Sequence, residues 1–187
     1  MTNQMLSLNP ETGCLEGVPF LASPHQDARP EGLPIDLLVV HNISLPPGQF
    51  GGSAVLDFFC GRLPVNDHPY FTEIQHLRVS AHLFIRRDGS MVQFVPFHRR
   101  AWHAGESHFQ GKDRCNDFSI GIELEGTDTL PYEAVQYEQL AAVTRLLMQV
   151  YPALTRERLV GHATIAPGRK TDPGDAFHWQ HFIGQLP

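Results

Sequence analysis

A mixed α/β (α+β) fold, with a central mixed β-sheet flanked by helices, is what this sequence predicts, and three stretches carry the prediction. "IDLLVVHNI" (35–43) is a continuous apolar run between Pro34 and the breaker-rich "SLPPGQFGG". It reads as a buried strand covered on both faces. "AHLFIRRDGSMVQFVP" (81–96) places two apolar runs around Asp88-Gly89, a strong hairpin signal. "YEAVQYEQLAAVTRLLMQVYP" (132–152) repeats apolar residues at helical spacing and ends at Pro152. Strands interleaved with helices imply a sheet whose faces the helices cover.

The elements follow in order along a chain of 187 residues, a length that suits one domain over 1–187. Residues 1–34 are turn-rich, with "SPHQDARPEGLP" near their end, and are expected to wrap the surface. After the first strand, "SAVLDFFCGRL" (53–63) has helical spacing, with Ser53 expected to cap it. The hairpin comes next. "DFSIGIELEG" (117–126) alternates apolar and polar residues and reads as a strand ending in a turn. The stripe of the long helix runs Val135, Leu140, Val143, Leu147 and Val150, and a short helix over 177–183 closes the chain. Between them, "GHATIAPGRKTDPG" (161–174) has neither period and is cut into turns by Pro and Gly. Ordering so irregular a segment is costly, so it is expected to be either disordered or functional.

Composition narrows the function. Hydrophobic residues make up 42%, an ordinary globular value, and 14 Lys and Arg stand against 20 Asp and Glu for a net charge of −6. An acidic chain without a basic run is poorly suited to nucleic acid or anionic membranes, and no apolar stretch approaches a membrane span. Cys14, Cys60 and Cys115 form no CxxC pair, so neither a disulfide framework nor a cysteine metal site is expected. "MTNQMLSLNPETG" has no basic-then-apolar leader, and a cytoplasmic location is the expectation.

The unusual item is histidine, 11 residues of it. His41 ends the first strand beside a Pro/Gly loop, where ligands collect in open sheets; a core histidine bonded to backbone fits the position equally. His162 and Asp172 share the 161–174 loop, away from any helix, and Pro173 biases Asp172 toward extended backbone. One histidine from a strand end with a His and an Asp from a loop matches the three protein ligands of a catalytic zinc, though a His-rich chain offers many triples. His82 and His103 stay open as ligands. Glu123 and Glu125 lie on one face of their strand; one could serve as general base, or both could face solvent. Lys170 could stabilise an oxyanion or simply be a solvated loop residue. Trp102, in "RRAWHAGES", suits a sugar or peptide platform, or the core.

Taken together, "LLVVHNISLPPGQFGG", "VSAHLFIRRDGSMVQFVPF", "RAWHAGES", "RCNDFSIGIELEGTDT" and "GHATIAPGRKTDPG" resemble the T7-lysozyme-like zinc amidases, in particular the cytoplasmic 1,6-anhydro-N-acetylmuramyl-L-alanine amidases. The resemblance spans roughly Ser23 to Trp179. It implies one zinc held by His41, His162 and Asp172, with Glu123 and Lys170 as catalytic residues. It implies that Asn42, Arg78, Trp102 and Arg114 line the substrate groove, and it leaves His82 and His103 with supporting roles. The implied substrate is an anhydro-muropeptide returned from the cell wall, with no obligate protein partner. A non-catalytic peptidoglycan-binding module of the same fold, and an exported wall-lytic amidase, are the competing readings.

Overall fold

The computed structural model describes residues 6–187; the first five residues of the expected N-terminal wrap lie outside the described residues. Five strands form the central sheet: β1 (Leu37–Ile43), β2 (Leu83–Ile85), β3 (Met91–Gln93), β4 (Ser119–Glu125) and β5 (Leu159–Gly161). Their order is β5-β1-β4-β2-β3. The first four in that order run parallel, and β3 joins β2 antiparallel through the Asp88-Gly89 turn. The sheet is therefore mixed, as the sequence predicts. Among the described residues, five α-helices accompany it: α1 (Ala54–Phe59), α2 (Pro69–Ile74), α3 (Ala134–Val150), α4 (His162–Ile165) and α5 (Trp179–Ile183).

The period-2 geometry of β4 explains how one strand serves two purposes. Ile120, Ile122 and Leu124 join Leu38 and Val40 of β1 and Leu83 and Ile85 of β2 in a core shared with Leu140, Val143 and Leu147 of α3. The other set is Ser119, Gly121, Glu123 and Glu125. All seven residues of β4 are buried, so both acids are inward; the solvent-facing alternative does not hold. On β1, Leu37 and Val39 belong to a separate cluster with Ala104 and Ile165, and His41 continues that face.

Two local expectations are corrected, and one element was missed. Ser53 stands at the N-cap of α1 but its side chain makes no capping hydrogen bond. The buried face of α3 takes in Gln136 and Thr144, which lie outside the expected apolar stripe, whereas Val150 at the end of that stripe is 42% exposed. Helix α2 was not legible, because Pro69 enters at its start and only Phe71 and Ile74 are buried. The segment before β1 sinks Leu15, Ser23 and His25 into the protein, and Gln26–Asp27 pairs with Arg100–Ala101. No described helix is long and apolar enough to cross a membrane.

Candidate metal centre and cleft

Parallel pairing sets the site. Glu123 is the direct partner of His41 across β4 and β1, and Gly161 stands opposite Val40 across β5 and β1, so His162 emerges one position on, at the level of His41. Three parallel strands thus deliver side chains at their carboxyl ends, where open α/β sheets collect ligands. His162 is not in an irregular loop as expected; it is the first residue of α4. Gly161 is needed there, because a Cβ would come within 2.7 Å of Pro173.

His41 Nδ1 and His162 Nδ1 are 3.0 Å apart, and each lies 3.1 Å from Asp172 Oδ2. The outer nitrogens decide what those atoms are. His162 Nε2 donates to the Ala104 carbonyl at 3.0 Å, which only accepts, so His162 Nδ1 carries a lone pair. His41 Nε2 meets His103 Nδ1 at 2.9 Å, and His103 Nε2 meets Ser119 Oγ at 3.0 Å. With protons running outward along this relay, His41 Nδ1 is a lone pair as well. Two lone pairs and a carboxylate oxygen then face one point, an arrangement that a single cation satisfies and that repels itself without one. Metal-ligating histidines almost always donate the other ring N–H to such a partner. The residues present fit a divalent metal of the zinc type, for which two imidazoles and a carboxylate are a known catalytic set. They are the residues the sequence singled out.

The residues alone left His103 open as a ligand, and the resemblance gave it a supporting role; its ring stands behind His41. Its ring fits only because position 121 is glycine: a Cβ there would lie 2.3 Å from the imidazole. His82 stays away from the centre, accepting from Gly121 N at 3.0 Å and facing the Arg99 carbonyl.

Charge in this pocket is tuned by burial. The Glu123 carboxyl is pushed well above the usual carboxylate range, first by burial and then by Asp172, with the Lys170 ammonium drawing it back. Its Oε2 is buried without a hydrogen-bond partner. Burial lowers His41 to about 4. Glu125, by contrast, is committed to structure: it accepts from Gly51 N at 2.6 Å and Arg87 N at 3.1 Å.

A cleft of about 670 Å³ opens over these residues. His41, Glu123, His162 and Asp172 line it; Lys170 and Arg169 stand on one wall, and Leu45, Phe58, Phe59, Tyr70 and Ile74 form an apolar wall that the sequence did not signal as a site. Asn42 lines the cleft, but both its amide hydrogens are engaged, to Asp128 Oδ1 at 2.8 Å and the Pro173 carbonyl at 3.1 Å. Arg78, Trp102 and Arg114 are not among the lining residues. Arg78 is exposed between Leu77 and Val79, which do line it. Trp102 donates from Nε1 to Asp27 at 3.2 Å, and Arg114 pairs with Asp117 at 2.6 Å.

Comparison with known proteins places this geometry. The profile of the N-acetylmuramoyl-L-alanine amidase family matches residues 31–175. The chain is 60% identical over 172 residues to the 1,6-anhydro-N-acetylmuramyl-L-alanine amidase AmpD of Escherichia coli K12, covering 92% of this chain and 93% of that protein. A crystal structure of a selenomethionine derivative of AmpD superposes with a TM-score of 0.93 at 56% identity, over 97% of this chain and 99% of that one. The Escherichia coli amidase AmiD, solved with its substrate anhydro-N-acetylmuramic acid-L-Ala-D-γ-Glu-L-Lys, matches with a TM-score of 0.60 at 29% identity, over 84% of this chain and 60% of that one.

Proposed function

The chain belongs to the N-acetylmuramoyl-L-alanine amidase family, and on that premise we propose that it is a zinc-dependent hydrolase of anhydro-muropeptides. The bond cut is the amide between the lactyl group of 1,6-anhydro-N-acetylmuramic acid and L-alanine. The role is peptidoglycan recycling in the cytoplasm, with a muropeptide as the partner and neither nucleic acid nor membrane. One observation carries the reading: two imidazole nitrogens and a carboxylate oxygen converge beside Glu123, whose Oε2 is buried without a partner, at the base of a substrate-sized cleft.

His41, His162 and Asp172 would hold the zinc. Bound there, the metal supplies a Lewis acid that polarises the amide carbonyl and brings the pKa of a water to about 7. Glu123 takes the proton from the attacking water and returns it to the L-alanine nitrogen, so one carbon–nitrogen bond breaks and one carbon–oxygen bond forms. Its raised pKa makes it a stronger base for the first half of that exchange. Lys170 offsets the negative charge that develops on the carbonyl oxygen. Arg78, Trp102 and Arg114, outside the cleft wall, are proposed to meet the parts of the substrate that extend beyond it, with the guanidinium groups taking peptide carboxylates. The acidic chain also disfavours nucleotide-linked wall precursors, which carry phosphates.

Metal content tests the assignment. Purified protein is expected to hold one zinc per chain, and His41→Ala to lose it. A His41→Ala protein that retains stoichiometric zinc would remove His41 from the centre.

A further inference from the structure

Asp172 supplies one of the three convergent atoms from a half-buried turn, and something must hold it there. The neighbours on both sides are gripped by the same group of side chains. Thr171 Oγ1 donates to Asp128 Oδ2 at 2.5 Å. The Pro173 carbonyl accepts from Tyr132 Oη at 2.8 Å and from Asn42 Nδ2 at 3.1 Å. Asn42 also donates to Asp128 Oδ1 at 2.8 Å, which closes the group on itself. Backbone contacts tighten it: Ala176 N donates to the Asp128 carbonyl at 3.0 Å, and Gly174 lies so close that a Cβ would come within 2.2 Å of Asp128 Cα.

The origin of these residues gives the arrangement its meaning. Asn42 follows His41 on β1, and Asp128 and Tyr132 lie on the segment that leaves β4 just after Glu123 and Glu125. The turn bearing Asp172 is thus tied to the two strands that bear His41 and Glu123. A turn of this kind, with Thr171 exposed, otherwise loses its geometry to chain entropy.

We propose that Asn42, Asp128 and Tyr132, with the Thr171 hydroxyl, form a clamp that presets Asp172 for the metal; they are positioning residues. The inference rests on the metal reading above and deepens it. It also redefines Asn42. With both amide hydrogens engaged by the clamp, Asn42 offers a substrate only its carbonyl oxygen.

Two conservative substitutions isolate the clamp. Thr171→Val keeps the shape and removes the hydroxyl, while Thr171→Ser restores it; Tyr132→Phe removes only the donor to Pro173. The first readout needs no metal. In metal-free protein, the amides of Gly174 and Ala176, bonded to the Thr171 and Asp128 carbonyls, should exchange hydrogen about tenfold faster or more in Thr171→Val and Tyr132→Phe, and at the wild-type rate in Thr171→Ser. The second is zinc affinity by competition with a chromogenic chelator. Thr171→Val and Tyr132→Phe should weaken it roughly 10–100-fold, the range for groups that orient a metal's ligands. Thr171→Ser should bind as wild type does. Unchanged zinc affinity in both Thr171→Val and Tyr132→Phe, with the wild type binding zinc normally, overturns the clamp and leaves the metal reading standing. A wild-type chain that binds no zinc overturns the metal reading and this inference with it, whatever the exchange rates.

Discussion

Glu123 is an acid that the fold keeps without a partner. Its Oε2 is buried and unbonded, its strand neighbour is a candidate metal ligand, and Asp172 adds a second negative charge nearby. Such an arrangement costs stability and is retained where the group reacts. Glu123→Gln keeps the shape and removes the base, so zinc content should be unchanged while turnover falls roughly 10²–10⁴-fold. Near-wild-type turnover would take the proton transfer away from Glu123. The same substitution should stabilise the metal-free protein. A carboxyl whose folded pKa is raised binds more protons folded than unfolded, so stability is lost as pH rises from the unfolded value of about 4.3 through the raised one. Melting temperatures at neutral pH should therefore be higher for metal-free Glu123→Gln than for the wild type. The gap should close toward pH 4 or so, below the unfolded value. A lower melting temperature at neutral pH would mean that the buried carboxylate is compensated after all. Gly121 belongs to the same scale: its missing Cβ is what admits the His103 ring behind His41.

At the scale of elements, α3 is the helix that periodicity describes best and also where periodicity misleads. Gln136 falls outside the apolar stripe yet is fully buried. Its Oε1 accepts from Glu133 N at 3.0 Å, and its Nε2 donates to the carbonyls of Glu125 at 3.1 Å and Ile85 at 3.3 Å. It caps the start of α3 and satisfies the ends of β4 and β2 in one side chain. Gln136→Leu should therefore destabilise by about 1–3 kcal/mol, the cost of leaving buried polar groups unpaired, despite adding apolar bulk. Denaturant unfolding reads this directly, and a neutral or stabilising result would contradict it. The strands were legible because a continuous apolar run and a Asp-Gly turn have few other interpretations. The helix over α2 was not, because six residues opening on Pro69 give no periodic signal. His162 read as loop because a four-residue helix is shorter than the window in which a helical period can be recognised.

At the scale of the molecule, the candidate site is assembled from strands far apart in sequence, and that decided what could be read in advance. His41, His162, Asp172 and Glu123 were legible as residue types; that they meet follows from the parallel register of β5, β1 and β4, which no spacing encodes. Apart from His103, their supports were not legible. Asp128 is one acid in a turn, and Arg29, in a segment expected only to wrap the surface, donates to the carbonyls of Phe97, Asn116, Asp117 and Ser119. Such roles exist only once the chain has closed.

The central claim is that this cleft hydrolyses the lactyl–alanine amide with a metal. Its most direct test is mass spectrometry of the products from an anhydro-muropeptide in heavy-oxygen water, with chelator and after zinc is restored. The expected result is free stem peptide beginning with L-alanine and an anhydro-sugar whose lactyl carboxylate carries the heavy oxygen. Release should be abolished by chelator and recovered with zinc. Release that is indifferent to chelator, label found in the peptide instead of the sugar, or no cleavage by zinc-loaded protein would contradict the account.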